Sequence, residues 1–350
     1  MTDNAAPGRH ADWLEIARYA ATCPSPHNTQ PFRLKVLSDT EAAVVFVARR
    51  GLSVADPQAR FTWLTSGIFV EICAIAAHGL GFELERELQL QPAPFYAGGD
   101  TETPQVIAHL RLSRAPTKVA DFDSQLILDR HTSRLPYDGH PIPAVLVREM
   151  QEEAERGGHR FEVRSDPQSI GWVIELNRQA LFHDMENAPI RAELVHWLRF
   201  GEREEEITHD GLSSRCLGFP APMLKSFFTR PDFWTLPGIK QAIGWIYARS
   251  MTGVGTIGWL RGPYVTIEDW YRAGRTMIRL WLIVTQHGYY WHPYGSVITS
   301  DEARGNMIRY FEMPDERGGA DAVWLLLRLG KSPPPPLSHR LPFEEIVLCA

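Results

Sequence analysis

The sequence predicts an α+β chain made of two related halves with an aromatic-rich insertion in the second. Three observations carry this. Segments of strand-like alternation are interleaved with segments of three- and four-residue apolar spacing. The order of elements restarts after about residue 124, although no short-period repeat is present. One helix-length stretch, Phe61 to His78, is apolar nearly all round and so belongs inside a fold. The 350 residues suit two average domains, and the expected halves are 1–124 and 125–350.

The elements follow in order. A first helix is expected over Trp13–Ala21, then a hairpin of strands near Phe32–Leu37 and Ala43–Val47, with Ser38-Asp39-Thr40 as turn chemistry. In the central helix Phe61, Leu64, Ile68, Ile72 and Ile75 recur at helical steps, and Gly79 and Gly81 stop it. Val106, Ala108, Leu110 and Leu112 alternate in a strand, and 113–124 connects the halves. The second half opens with a helix from Pro143 to about Arg156, a short strand at Phe161 and Val163, and helices near 169–182 and 189–200. The charge run Glu202–Glu206 suggests a solvated face. Residues 210–263 look irregular, and 202–265 is the expected insertion. Thr266 and Asp269 form a capping pattern for a long helix ending at Gly288. A strand over Ala322–Leu329, the rigid run Pro333–Pro336 and a last strand over Glu345–Cys349 complete the chain, the last expected beside Phe32–Leu37.

Composition excludes several function classes. The net charge is −6 and the pI about 6.1, which argues against nucleic acid, since phosphate backbones need a concentrated basic face. With 44% hydrophobic and 22% charged residues the chain is globular. The N-terminal MTDNAAPGRHAD has no apolar core, and the charge-free run Ser250–Leu260 is too short for a bilayer. A cytoplasmic protein without membrane partners is expected. Cys23, Cys73, Cys216 and Cys349 form no CxxC pair. His27, His209, His287 and His292 lack zinc-ligand spacing, so no metal is expected. Gly253-Val254-Gly255 has no strand–GxGxxG–helix context.

Three separated segments carry the chemistry. The first, Pro24-Ser25-Pro26-His27-Asn28-Thr29-Gln30-Pro31-Phe32, is a proline-fixed loop with hydrogen-bonding side chains. The second, Arg130-His131-Thr132-Ser133-Arg134, sets hydroxyls between arginines able to clamp a phosphate. The third, Ser338-His339-Arg340-Leu341-Pro342, follows the proline run. In this order they resemble the FMN-dependent nitroreductase superfamily: Pro24–Phe32 resembles its PSxxNxQPW signature, Arg130–Arg134 its RxSxR-type phosphate motif, and Arg340 its C-terminal phosphate arginine. His292-Pro293-Tyr294-Gly295-Ser296 after the long helix is similar to the family's flavin-contacting loop. The first half keeps the loop and the second keeps the clamp, so the chain resembles the double-length, fused Acg-like branch.

That resemblance implies a three-layer α/β/α nitroreductase-like fold, an internal pseudo-dimer and one FMN per chain. Arg130 and Arg340 would pair with the phosphate, Thr132 would add a hydroxyl, and His131 would be among the cofactor-binding residues. Pro24, Ser25, Pro26 and Asn28 would contact the flavin from the first half, and Pro293, Gly295 and Ser296 from the second. Arg134 would face the N1–O2 edge, where negative charge gathers once hydride reaches N5. Pro26, Phe32 and Ser338 depart from the family pattern. No side-chain nucleophile is implied. The activity implied is hydride transfer from NAD(P)H through FMN to an electron-poor acceptor such as a nitroaromatic or quinone. The alternative is a flavin-binding or flavin-storage protein with a closed lid; a third is a flavin-free interaction protein. A monomer by internal pairing and a homodimer both fit. The aromatic group Phe227, Phe228, Phe233, Trp234, Trp245, Tyr247 and Trp259 suits an insertion core, a lid or an oligomer contact.

Overall fold

A computed structural model describes residues 10–89, 105–114, 121–230, 237–314 and 319–349. The first half contains α1 (His10–Ala20), β1 (Phe32–Val36), β2 (Glu41–Phe46), α2 (Arg60–Gly79), β3 (Phe82–Leu88) and β4 (Gln105–Arg114). The short α3 (Gln125–Asp129) leads to α4 (Ala144–Arg156) and β5 (Arg160–Arg164). Next come α5 (Pro167–Glu186), α6 (Ala188–Trp197), β6 (Leu198–Arg199), α7 (Glu202–Thr208), β7 (Leu212–Ser213), α8 (Ser214–Leu217), α9 (Ala221–Thr229) and α10 (Ile239–Ser250). The chain then returns through β8 (Thr256–Gly262), α11 (Ile267–Gln286), β9 (Tyr290–Pro293), α12 (Gly295–Thr299), α13 (Asp301–Tyr310) and β10 (Ala322–Gly330). It ends in α14 (Phe343–Ile346) and β11 (Val347–Cys349).

The two halves share one topology. The first sheet runs β1-β2-β4-β3 and the second β5-β8-β10-β9, with every neighbouring pair antiparallel. In chain order each half is helix, strand, strand, long helix, strand, strand, so α1 answers α4 and α2 answers α11. Everything from α5 to α10 is extra chain in the second half, lying between β5 and β8.

The crossing of α2 and α11 repeats the relation at atomic scale. A Cβ added to Gly67 would lie 2.0 Å from the Tyr271 carbonyl oxygen and 3.2 Å from the Arg275 nitrogen. One added to Gly274 would lie 1.8 Å from the Leu64 oxygen and 3.0 Å from the Ile68 nitrogen. Each glycine thus meets the residue three before and the residue one after its counterpart, as a local two-fold axis requires. Only hydrogen at these positions allows the backbones so close. One hydrophobic core joins both halves through this crossing, including Trp13, Ile68, Ile72, Ile278, Trp281 and Leu327. A second cluster, with Trp259, Tyr247, Val297 and Leu326, fills the other face of the second sheet beneath α5, α10 and α12. The second sheet therefore has helices on both faces. In the first half β3 alternates half-buried and exposed residues.

Charge also bridges the crossing. Glu71, on α2 and 3% exposed, accepts from Arg275 Nε at 2.7 Å and Arg279 Nη1 at 3.1 Å on α11, and from Arg86 at 3.0 Å on β3. Burial pushes this carboxyl up, but Arg275, Arg86 and Arg279 hold it below its ordinary value. By length and composition α2 could cross a membrane, yet most of it is buried inside the protein, and Glu71 interrupts its apolar run.

β11 pairs parallel to β1, with Leu34 opposite Val347 and Val36 opposite Cys349. The C-terminus of the second half thereby adds an edge strand to the first half's sheet and covers its open side. The strand is shorter than expected: Pro342 caps a helical turn that takes up Glu345 and Ile346.

Several expectations are corrected. Residues 210–263 are not irregular, since they hold β7, α8, α9, α10 and the fully buried β8. Residues 256–262 of the expected insertion are a central strand of the second sheet. β3, β9 and α13 lie outside the expected elements, and the first helix begins earlier than expected, at His10. Glu205 is no solvated residue but 3% exposed, with Arg215 at 3.5 Å and His339 at 3.8 Å. The capping pattern at Thr266 and Asp269 is a reciprocal capping box. Of the aromatic group, Tyr247 and Trp259 are core, Phe227 is buried on α9, and Trp245 is 63% exposed. Phe233 and Trp234 lie outside the described residues, as do 115–120 of the connector.

Candidate active site between the halves

The Pro24–Phe32 segment links α1 to β1 and is held in an unfavourable backbone shape. His27, Asn28 and Gln30 have φ of 51°, 55° and 51°, the left-handed region that side chains other than glycine seldom enter. Such conformations persist only where surroundings over-determine them. Here Ser25 Oγ accepts from the Gln30 amide at 2.9 Å, and the Asn28 amide donates to the Ser25 carbonyl at 3.0 Å. The Gln30 side chain donates to the His209 carbonyl at 2.9 Å and accepts from the Leu341 amide at 2.9 Å.

Asn28 is the hub of this loop. Its amide nitrogen donates to the Gly211 carbonyl at 3.1 Å and the His339 carbonyl at 3.0 Å. The Gly211 amide donates back to the Asn28 carbonyl at 3.2 Å. Asp210 between these partners accepts from Arg50 at 2.9 Å and from Arg199 Nε at 3.0 Å. The insertion residues His209–Gly211 thus close on the first half's loop. Asn28 Oδ1 remains buried without a hydrogen-bond partner.

The Arg130–Arg134 segment reaches the same place from the second half. Arg130 is 3% exposed; one Nη donates to the Thr22 carbonyl at 3.0 Å, and its guanidinium lies 4.3 Å over the Trp281 ring. Arg340 donates to the Cys23 carbonyl at 2.8 Å. Consecutive carbonyls of the first half therefore hold the two arginines side by side. Burial, and then the like charge of Arg340, pulls Arg130 down to about 9. Burial also lowers Arg134 and Arg340, although both keep part of their surface exposed where Arg130 does not. Among the described residues no carboxylate pairs with Arg130, Arg134 or Arg340. Burial, followed by Arg130 and Arg340, lowers His131 against the pull of Asp129. Burial pushes the nearby Cys23 thiol up to about 12 against both arginines, as for an inert packed residue.

A parallel bridge between Thr132 and Trp291 sets this segment beside β9. His27 from the first half and His292 from β9 both lie in the field of Arg134. Burial, then Arg134, lowers His27 to about 4 and holds His292 well below its usual value. Both imidazoles are neutral at pH 7, and each has a buried Nδ1 without a partner. Arg130 Nε is likewise buried and unpartnered. Sequence reasoning gave neither histidine a role. The remaining expected residues sit further round the turn: Pro293 pairs with Leu327, Gly295 has open space where a Cβ would stand, and Ser296 bonds the Asp184 side chain. Among the described residues no hydrogen bond joins them to the first-half loop.

The counterpart of this loop in the second half is absent. Between α4 and β5 the chain takes only 157–159, against 21–31 between α1 and β1. His159 Nδ1 sits 3.0 Å from Thr276 Oγ1, and a Cβ on Gly157 would be 2.1 Å from the same oxygen. That position is closed by packing, so the pseudo-two-fold relation ends at the site. Among the described residues no cluster of His, Cys, Asp and Glu could hold a metal ion.

Unpaired arginines, orphaned buried acceptors and neutral imidazoles from two halves suit a ligand with an anionic tail and a polar heterocycle, as FMN has.

No family model matches the chain, and no curated protein matches it. Among solved structures, the chain is similar to the FMN- and NADPH-dependent nitroreductase NfnB from Sphigopyxis sp. strain HMH, at 13% identity and TM-score 0.36, over 63% of this chain and 96% of that one. It is similar to the FMN-dependent nitroreductase NfnB from Mycobacterium smegmatis, solved with NADPH, at 13% identity and TM-score 0.36, over 60% and 86%. A third is oxidized iodotyrosine deiodinase bound to FMN and 3-iodo-L-tyrosine, at 13% identity and TM-score 0.38, over 62% and 94%.

Proposed function

We propose that the chain binds one FMN between its halves and is an FMN-dependent oxidoreductase of the nitroreductase type. The observation that carries this is the set of unpaired arginines, Arg130, Arg134 and Arg340, gathered where the first half's strained loop meets the second half. Burying a cation without an anion is costly. A phosphate of charge about −2 against Arg130 and Arg340 relieves that cost through charge-assisted hydrogen bonds, with His131 and the Thr132 hydroxyl beside it. Asn28 Oδ1 supplies the acceptor for a ring N–H, and Pro24, Ser25 and Pro26 fix its loop. Arg134 serves the electron-rich edge of the ring system, and the uncharged His27 and His292 add hydrogen-bonding nitrogens. Pro293, Gly295 and Ser296 form the turn on the second-half side. When bound, FMN supplies a centre that takes hydride from NAD(P)H and passes it to an electron-poor acceptor such as a nitroaromatic or quinone. The closed loop between α4 and β5 limits the chain to one such site.

A second reading, flavin storage without turnover, is favoured by the His209–Gly211 closure over the Asn28 loop. Anaerobic stopped-flow absorbance separates the two. The oxidoreductase reading expects NADH or NADPH to bleach the bound flavin within seconds and a nitroaromatic or quinone to restore the colour. Retained FMN that neither nucleotide bleaches contradicts it and leaves the storage reading.

A further inference from the structure

Arg328 belongs to none of the sequence motifs, yet among the described residues it is the one arginine in the set of largest fully buried side chains. It lies on β10, opposite His292 on β9 and Ile257 on β8. One Nη donates to the Ser250 carbonyl at 2.8 Å, and the other to the Leu135 carbonyl at 3.2 Å and the Ser133 carbonyl at 3.5 Å. Its guanidinium sits 4.5 Å over the Tyr137 ring, and the Tyr137 hydroxyl also donates to the Ser133 carbonyl at 3.1 Å. Among the described residues no carboxylate pairs with it. The titratable groups in its field are Arg134, His292, Tyr137, Tyr247 and Tyr294. Burial pushes the three phenols up, so none supplies a negative charge near neutrality.

A buried cation with only neutral partners is expensive to keep for stability alone, since an apolar side chain fills a strand position more cheaply. Two of its three carbonyl partners, those of Ser133 and Leu135, are the ones immediately before and after Arg134. We propose that Arg328 is a positioning residue that fixes the backbone on both sides of Arg134 and adds its own fixed charge to that end of the site, favouring the reduced state of the bound cofactor. This rests on the FMN reading above. Two cations held in a poorly hydrated site attract the negative charge that reduction brings far more strongly than either would in water. Arginine suits the task because it stays charged when buried and its planar fork reaches several carbonyls at once.

The test is spectroelectrochemical titration of flavin bound to the full chain, with a melting curve beside it. Arg328→Gln is expected to keep FMN bound but lower its midpoint potential below the parent's. Arg328→Lys should match the parent near pH 7. Its potential should fall away from the parent's as pH rises and the buried ammonium deprotonates, below the ordinary lysine value of about 10.4. If Arg328→Gln fails to fold or loses FMN, that pH profile decides alone. Potentials of both variants overlying the parent's at every pH, with only the melting temperature reduced, overturn the proposal. A parent chain without bound flavin instead removes the FMN reading on which it stands.

Discussion

Arg130→Ala is expected to weaken FMN binding by about 2–4 kcal/mol, roughly 30- to 1,000-fold in Kd, and Arg340→Ala by a similar amount. The size follows from enclosure. Arg130 is 3% exposed and spends one donor on Thr22, while Arg340 spends one on Cys23. The remaining donors have no carboxylate to satisfy them among the described residues, so a phosphate there is bound by desolvated, charge-assisted bonds. Arg130→Ala also uncovers the Trp281 ring, now 4.3 Å below the guanidinium. The control is Arg111→Ala, an exposed arginine paired with Glu41 at 2.9 Å, which should leave FMN affinity unchanged. Flavin fluorescence titration of apoprotein measures all three. Parent-like affinity in both Arg130→Ala and Arg340→Ala would remove the phosphate from this site.

The largest effect on stability is expected at the α2–α11 crossing. Glu71→Ala leaves Arg275 and Arg86 without their carboxylate, while Arg279 keeps Glu153 and Asp121. Breaking a buried pair costs about 3–5 kcal/mol. The lower end, about 3 kcal/mol, applies because the arginines keep part of their surface in water. The effect should depend on pH. Glu71 is held below its ordinary 4.5 in the folded chain, so its stabilisation is complete above that value and disappears as pH falls through the folded pKa. Urea denaturation at pH 7 and again below pH 4 should show the parent–variant gap shrinking in acid. A gap that is equal at both would mean that the carboxylate charge contributes nothing to the crossing.

What could be read from the sequence, and what could not, follows from the range of the interactions. The helices around Ile68 and around Met277 were legible because apolar spacing and the Thr266–Asp269 cap are local. Arg130, Arg340 and the Asn28 loop were legible as short motifs. β8 was hidden because Gly258 and Gly262 interrupt its strand pattern; each glycine is there to admit a ring, Phe161 and His159 respectively. Glu205 was hidden inside a charge run, since nothing local distinguishes the carboxylate that turns inward to Arg215 and His339. His27 and His292 are far apart in sequence and share the field of Arg134 only once the chain is folded. The closure of His209–Gly211 on Asn28 spans about half the chain, beyond the reach of any spacing rule. Arg328 is a single charge within the apolar strand Ala322–Gly330, and nothing local marks its partners.

Binding of one FMN at the junction of the two halves is tested most directly by cofactor release. The purified full chain, loaded with excess FMN and desalted, should be yellow. On denaturation it should release one FMN per chain, identified by chromatography and flavin fluorescence. The Arg130→Ala, Arg340→Ala double variant, carried through the same steps, should release little. A folded parent chain that releases no FMN, or releases two per chain, would contradict the single site between the halves.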